Sequence, residues 1–209
     1  MNPTIGTIVQ TNSSAGTITL SATTSGSNCA ILVLIGSRSS SDIITGVTFN
    51  GVSMARSQSV TDGGLDRVYS YYLTAVGATT ANIVVSQSST IGMVVVGVPL
   101  SGVDQVTMID TSGTGTTSVT LTTNYSNSLI LDIVNSHSSS VAPTTTGSNT
   151  RIWTAAIFAS TTSAAGSDLT TTTPGMYTTS WSTTGGNNAI VSAAIKAAVT
   201  NTSNFLTFM

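Results

Sequence analysis

Short apolar runs, separated by clusters of Gly, Ser, Asn and Thr, recur along the whole chain and constrain its fold most strongly. The runs are about five to ten residues long, and many alternate an apolar residue with Thr or Ser, which is the period of a strand with one buried face. The pattern predicts an all-β protein, a two-sheet antiparallel β-sandwich that is jelly-roll-like and has about eleven strands.

One hairpin is predicted with its turn type. Asn50-Gly51 separates the alternating segments Val47-Thr48-Phe49 and Val52-Ser53-Met54. Asn-Gly between alternating apolar residues is the strongest short hairpin signal, because both residues tolerate the positive φ of a type I′ turn. We therefore expect a two-residue turn at this point.

The composition excludes several classes of protein. Charged residues make up 6% of the chain and the net charge is -2, while the mean hydropathy of +0.33 argues against disorder. The five basic residues are scattered, so no nucleic-acid partner is predicted. No apolar run reaches the ~20 residues of a membrane helix, and the N-terminus lacks the pattern of a secretory signal.

A weak internal repeat divides the sequence into two similar halves, at about residues 25–105 and 118–198. Ser27-Asn28 corresponds to Ser126-Asn127, Arg67-Val68-Tyr69-Ser70 to Arg151-Ile152-Trp153-Thr154, and the run 92–100 to the run 188–197. A single sandwich domain over residues 1–198 explains the repeat, since either half alone would expose an apolar face. Residues 111–117 are then a crossover between halves, although their composition equally suits a linker between two domains.

The inventory of reactive groups is small, and it predicts no enzyme, no cofactor and no metal. His137 is the single histidine, interpreted as a loop residue, and Cys29 is the single cysteine, interpreted as a buried inert thiol. All seven acidic residues are Asp. A hydrolase would need His137 or a converging pair from Asp42, Asp62, Asp66 and Asp168, each of which is placed in a turn.

Two further groups of side chains have competing interpretations. Asp132 interrupts the apolar run 129–134, which predicts that one strand face is partly polar or supplies a structural partner such as Arg67 or Arg151, with a catalytic role as the alternative. The aromatic residues are interpreted as core or interface packing, with a sugar-stacking platform as the alternative. They are Tyr69, Tyr71, Tyr72, Trp153 and Trp181.

The C-terminal tail, residues 199–209, is predicted to make an assembly contact. A polar segment is followed by an apolar end whose candidate contact residues are Phe205, Leu206, Phe208 and Met209. Free tails usually avoid aromatic residues, so these groups are expected to dock on a neighbouring subunit or on the chain itself.

Three segments, residues 47–52, 68–73 and 98–105, resemble a Ser/Thr-rich β-sandwich module of phage structural proteins and bacterial surface proteins. The resemblance implies a jelly-roll-like fold without catalytic residues. A single module without a secretory signal favours a virion structural protein within this group, either a capsid decoration or cement protein or a head or tail fibre subunit, which assembles with itself and with other structural subunits. The alternatives are an extracellular or cell-surface role, as a glycan-binding or adhesive module or as a subunit of a bacterial filament.

Overall fold

The computed structural model of the chain describes residues 2–137, 141–153, 157–158 and 162–199. Within them the protein is all-β, and nineteen strands form four antiparallel sheets. No helix in this part of the chain is long and apolar enough to cross a membrane.

The first half of the molecule contains ten strands, which form an inner and an outer sheet. They are β1 (Thr4–Ile5), β2 (Val9–Ser13), β3 (Thr17–Thr24), β4 (Ala30–Ser37), β5 (Ile44–Phe49), β6 (Val52–Ser53), β7 (Ala55–Thr61), β8 (Arg67–Thr74), β9 (Thr79–Gln87) and β10 (Met93–Ser101). The first inner sheet has the order β1-β10-β4-β8-β7, with β2 also paired to β10. The first outer sheet has the order β3-β9-β5-β6.

The second half contributes nine strands among the described residues, again in an inner and an outer sheet. They are β11 (Ile109–Gly115), β12 (Ser118–Thr123), β13 (Leu129–His137), β14 (Thr144–Thr145), β15 (Thr150–Trp153), β16 (Ile157–Phe158), β17 (Thr162–Thr170), β18 (Gly175–Ser182) and β19 (Asn187–Ile195). The second inner sheet has the order β11-β19-β13-β17-β15, with β16 also paired to β17. The second outer sheet has the order β12-β18-β14.

Among the described residues, three apolar cores hold the four sheets in a stack. The central core lies between the two inner sheets, where Leu32 and Val96 of the first meet Leu131 and Val191 of the second. Each half also has its own core between its inner and outer sheet. The inner strands are therefore buried on both faces, which explains why β4 is continuously apolar from Ala30 to Ile35.

The outer strands alternate instead, because one of their faces remains exposed. In β3 every second residue is buried, beginning at Ile18, and the intervening Thr and Ser residues are exposed. The same alternation recurs in β12, where Val119 and Leu121 are buried. A period of two thus marks these outer strands, and a continuous apolar run marks most of the central inner strand β4.

The two halves share most of their strand order. When nine is added to each strand number, β2-β10-β4-β8 of the first half becomes β11-β19-β13-β17 of the second, and β3-β9-β5 becomes β12-β18-β14. β1 and β6 do not follow this rule, because β10 belongs to the first half and β15 pairs with β17 in the inner sheet. The turn before the central strand also repeats, because Asn28 and Asn127 both have positive φ, 53° and 59°. The adjacent side chains bond alike: the Cys29 thiol donates to Gly26 O at 3.3 Å, and the Ser128 hydroxyl donates to Tyr125 O at 3.0 Å.

The predicted Asn50-Gly51 turn is confirmed. Phe49 pairs with Val52 across a two-residue loop, and φ is 51° at Asn50 and 77° at Gly51. The all-β class is also confirmed for the described residues, but the prediction of about eleven strands in two sheets is wrong, because this part of the chain has nineteen strands in four sheets.

Two details of the predicted organisation are wrong. Most of the segment 111–117, expected to be a crossover or a linker, belongs to β11, which pairs with β19. The expected equivalence of Arg67 and Arg151 also fails, because Arg67 lies in β8 next to the central strand and Arg151 lies in the edge strand β15. By strand order β8 corresponds to β17, which the sequence did not reveal as a strand.

Candidate functional site

The central core ends in a cluster of polar and charged side chains, which we call the junction cluster. It consists of Arg38, Asp62, Asp66, Asn135 and His137. The first three belong to the first half and the last two to the second, so the cluster lies across the interface of the halves.

Strand periodicity places these residues at one end of the interface. In β13, Leu131 and Ile133 face the central core, and the next positions on the same face are Asn135 and His137. Val68 of β8 also faces this core, and Asp66 lies two residues before it. Polar residues of the cluster therefore occupy the core-facing positions of β13 and β8 that lie beyond the last apolar residue.

The contact between Asp66 and His137 joins the two halves. The Nδ1 atom of His137 lies 3.4 Å from Oδ2 of Asp66, and the side chains are 16% and 0% exposed. Burial raises the pKa of the Asp66 carboxyl to about 6, and the charge of Asp62 adds to the rise, while His137 and Arg38 oppose it. The structure thus places a titratable carboxyl in a buried position between the halves.

The remaining members of the cluster are held by the backbone around them. Oδ1 of Asp62 accepts bonds from the amides of Gly64, at 2.7 Å, and Asp66, at 3.2 Å. Nδ2 of Asn135 donates to Ser37 O at 3.4 Å, across the interface. These bonds fix the turn between β7 and β8 and the end of β13 relative to β4.

The cluster combines a carboxyl group and an imidazole. Among the described residues, Nδ1 of His137 has no hydrogen-bond partner, and no group of three or more His, Cys, Asp or Glu side chains is arranged to hold a metal ion. What the geometry supplies is a buried, titratable contact between two halves of one chain.

The structure corrects the interpretation of His137 and shows that two of the four candidate aspartates lie close together and the other two do not. His137 is the last residue of β13 and largely buried, so the prediction of an exposed loop histidine is wrong. Asp62 and Asp66 are close enough to influence each other, and the predicted turn between them is confirmed. Asp42 instead pairs with Arg56 at 2.6 Å, and Asp168 lies within β17 rather than in a turn.

Asp132 has structural partners, but they are not arginines. Its Oδ1 atom accepts from the amide and the hydroxyl of Ser167, at 2.9 and 2.7 Å, and Oδ2 accepts from the Trp181 indole N–H at 3.1 Å. Burial raises the pKa of this carboxyl, and the bonds from Ser167 and Trp181 lower it. The expected partners, Arg67 and Arg151, bond to Ser40 O and Pro143 O.

Cys29 and most of the candidate aromatic residues are core residues. Cys29 is 3% exposed, and burial raises the pKa of its thiol. Tyr69, Tyr71, Trp153 and Trp181 are between 0% and 6% exposed, so the interpretation as packing residues is confirmed and these four rings form no surface platform. Tyr72 is half-buried against the central core.

An ion pair also holds the halves together, at the connection between them. Nζ of Lys196 lies 3.2 Å from Oδ2 of Asp104, and the ammonium sits 4.2 Å from the centre of the Tyr125 ring. The amides of Val106 and Thr107 donate to Oδ1 of Asp104, and these bonds, that of Thr107 first, lower the pKa of this carboxyl. This contact fixes the start of the second half against the end of β19.

The four candidate assembly residues of the tail, Phe205, Leu206, Phe208 and Met209, lie outside the described residues. Their contact with a neighbouring subunit stays a prediction.

No protein-family model, no curated protein and no solved structure matches the chain.

Sequence reasoning missed the convergence of Asp66, Asn135 and His137 because they are far apart in the chain. A signal was nevertheless present in β13, where the core-facing residues Leu129, Leu131 and Ile133 are apolar and the next residues on the same face, Asn135 and His137, are polar. A polar residue that continues a core-facing series indicates a buried polar contact. The partner strand could not be inferred from the series itself.

Proposed function

We propose that the chain is a non-enzymatic structural protein of a virion, a capsid decoration or cement protein or a head or tail fibre subunit, built from two jelly rolls. A jelly roll has eight strands, B to I, in sheets of order B-I-D-G and C-H-E-F. In the first half the letters B to I are assigned in chain order to β2, β3, β4, β5, the pair β6 and β7, β8, β9 and β10. The two jelly-roll sheets then become β2-β10-β4-β8 and β3-β9-β5-β6, in agreement with the observed orders. In the second half the same assignment gives β11-β19-β13-β17 and β12-β18-β14, while β15, the counterpart of β6, pairs with β17 in the inner sheet. The order that the two halves share is the observation that carries the proposal.

The two outer sheets support a role in assembly. None of their seven strands contains a charged residue. Their exposed positions are rich in hydroxyls, and neighbouring strands are linked by Thr23–Thr80 and Thr120–Thr178 hydroxyl pairs at 2.8 and 2.7 Å. A neighbouring subunit can cover such a face without burying an unpaired charge, which is otherwise costly.

The use of the acidic side chains supports a structural role as well. The oxygens of Asp132 are occupied by core hydrogen bonds, and those of Asp104 by amides and Lys196. Asp42 makes an exposed ion pair with Arg56. Each of these carboxylates stabilises the fold where it lies, and we propose that the protein works through copies of itself and other subunits of a particle.

Because one fold can serve many functions, the proposal needs a test on particles. An antibody against the purified full-length chain is used on particles from the source material, separated on a density gradient. We expect the chain to co-sediment with intact particles and gold label to appear at regular positions on heads or tails. Particles from a deletion strain are the control. A chain found in gradient fractions without particles, or bound to glycans on an array while absent from particles, would refute the proposal.

A further inference from the structure

The junction cluster contains buried polar atoms that the described protein atoms leave without hydrogen bonds. Both carboxylate oxygens of Asp66 are among them, together with Oδ2 of Asp62, Oδ1 of Asn135, Nε of Arg38 and Nδ1 of His137. Such atoms are rare in folded proteins, and a concentration of them at one place requires an explanation beyond packing. Here they lie where the two halves meet.

The charged groups around Asp66 come from each element that packs there. Arg38 follows β4, Asp62 lies in the turn after β7, and His137 ends β13. Asp66 itself is fully buried, and its contact with His137 joins the two halves at this end of the interface. An ionised carboxylate without a hydrogen-bond donor is costly to bury, whereas a protonated one is much less so.

We propose that the Asp66–His137 contact is a pH-sensitive latch between the two halves, closed in acid and loosened when Asp66 ionises. The pKa of Asp66 is raised from 3.8 to about 6 in the folded protein. A raised pKa means that the folded state binds the proton more tightly than the open state does. The stabilisation is therefore complete below about pH 3.8 and is lost as the pH rises through about 6.

Hydrogen exchange of the full-length chain tests the latch, with rates corrected for the intrinsic effect of pH. Peptides from the β7–β8 turn, the end of β13 and the start of β19 report on the junction. We expect their protection to fall by at least about tenfold between pH 5 and pH 8, because one unit of pKa shift corresponds to a factor of ten. Peptides from β3 and β12, in the outer sheets, should not change.

Two variants separate the latch from a general effect of pH. In Asp66→Asn the side chain cannot ionise, so the protection of the junction should no longer depend on pH. In His137→Gln the group that lowers the pKa of Asp66 is removed, so the midpoint of the transition should move to higher pH. Circular dichroism at pH 5 establishes that both variants are folded.

Asp168→Asn is the matched control, because burial also raises the pKa of Asp168, which lies in β17 outside the cluster. It should leave the pH dependence of the junction unchanged. Equal protection of the wild-type junction at pH 5 and 8, or the same loss of protection in Asp66→Asn, would overturn the latch.

Discussion

At the scale of single residues, Asp132 shows how one position can differ between two similar halves. Its place on the central strand corresponds to Val33 of β4, which is an apolar core residue. In the second half the carboxylate instead binds Ser167 and Trp181 between the inner and the outer sheet. The neighbouring Ser167 hydroxyl also accepts a bond from Nδ2 of Asn149 at 2.8 Å. This network gives the second half a polar centre that the first half lacks.

Asp132→Ala is expected to destabilise the protein by about 3 kcal/mol, because it leaves the buried donors of Ser167 and Trp181 without an acceptor. Urea unfolding followed by circular dichroism measures the change. Asp42→Ala is the control, since its ion pair with Arg56 is about 40% exposed and should be worth less than about 1 kcal/mol. Equal losses in the two variants would contradict the structural role assigned to Asp132.

At the scale of elements, Trp153 and Gly166 show why strand β17 was not recognised in the sequence. β17 reads Thr-Ser-Ala-Ala-Gly-Ser-Asp-Leu-Thr and lacks the bulky residues that mark a strand. Its small residues instead make room for a neighbour, because a Cβ atom at Gly166 would lie 1.9 Å from the indole nitrogen of Trp153. The large residue of the edge strand β15 thus packs onto the smallest residue of β17.

Gly166→Ala should displace Trp153 from its position and lower stability by about 1–3 kcal/mol, the usual cost of overpacking. Chemical unfolding gives the stability, and the near-ultraviolet circular dichroism of the indole reports its displacement. The comparison is Gly46→Ala, at a glycine of β5 where a Cβ atom would meet nothing within 4 Å. A Gly166→Ala protein as stable as Gly46→Ala, with an unchanged indole signal, would disprove the packing argument.

The turns that precede the two central strands offer a test of equivalence between the halves. Asn28→Ala and Asn127→Ala should each cost about 1 kcal/mol, because alanine pays 1–2 kcal/mol for the left-handed region that asparagine tolerates. Asn28→Gly and Asn127→Gly should be close to neutral, since glycine adopts positive φ without strain. Thermal unfolding of the four variants measures the effects. Loss of stability in one half but not in the other would mean that the turns are not equivalent.

At the scale of the whole molecule, the sequence predicted local structure better than the arrangement of the layers. The Asn50-Gly51 hairpin and the alternation of β3 are local signals, and both were correct. The pairing of β11 with β19 joins residues far apart in the chain, and its Thr-, Ser- and Gly-rich segment resembles a loop in composition. The sequence also did not reveal the partner of Asp66, because its contact with His137 depends on how two sheets from distant parts of the chain stack.

The stacking of the inner sheets is the central claim of this account. The central core contains fully buried residues from both halves, including Leu34 and Val98 of the first and Ile133 and Val191 of the second. Full burial of one such side chain contributes about 1.5–3 kcal/mol, so separating the halves would be strongly unfavourable. The proposed latch and the proposed virion role both assume that the halves form one unit.

Differential scanning calorimetry of the full-length chain at pH 5 tests this claim most directly. A shared core predicts one transition whose calorimetric and van't Hoff enthalpies agree. Leu131→Asp, which buries a charge in the central core, should lower the temperature of that whole transition, and Thr120→Asp, on the exposed face of β12, should leave it nearly unchanged. Two separate transitions, with one of them unaffected by Leu131→Asp, would show that the halves fold independently and would contradict the account.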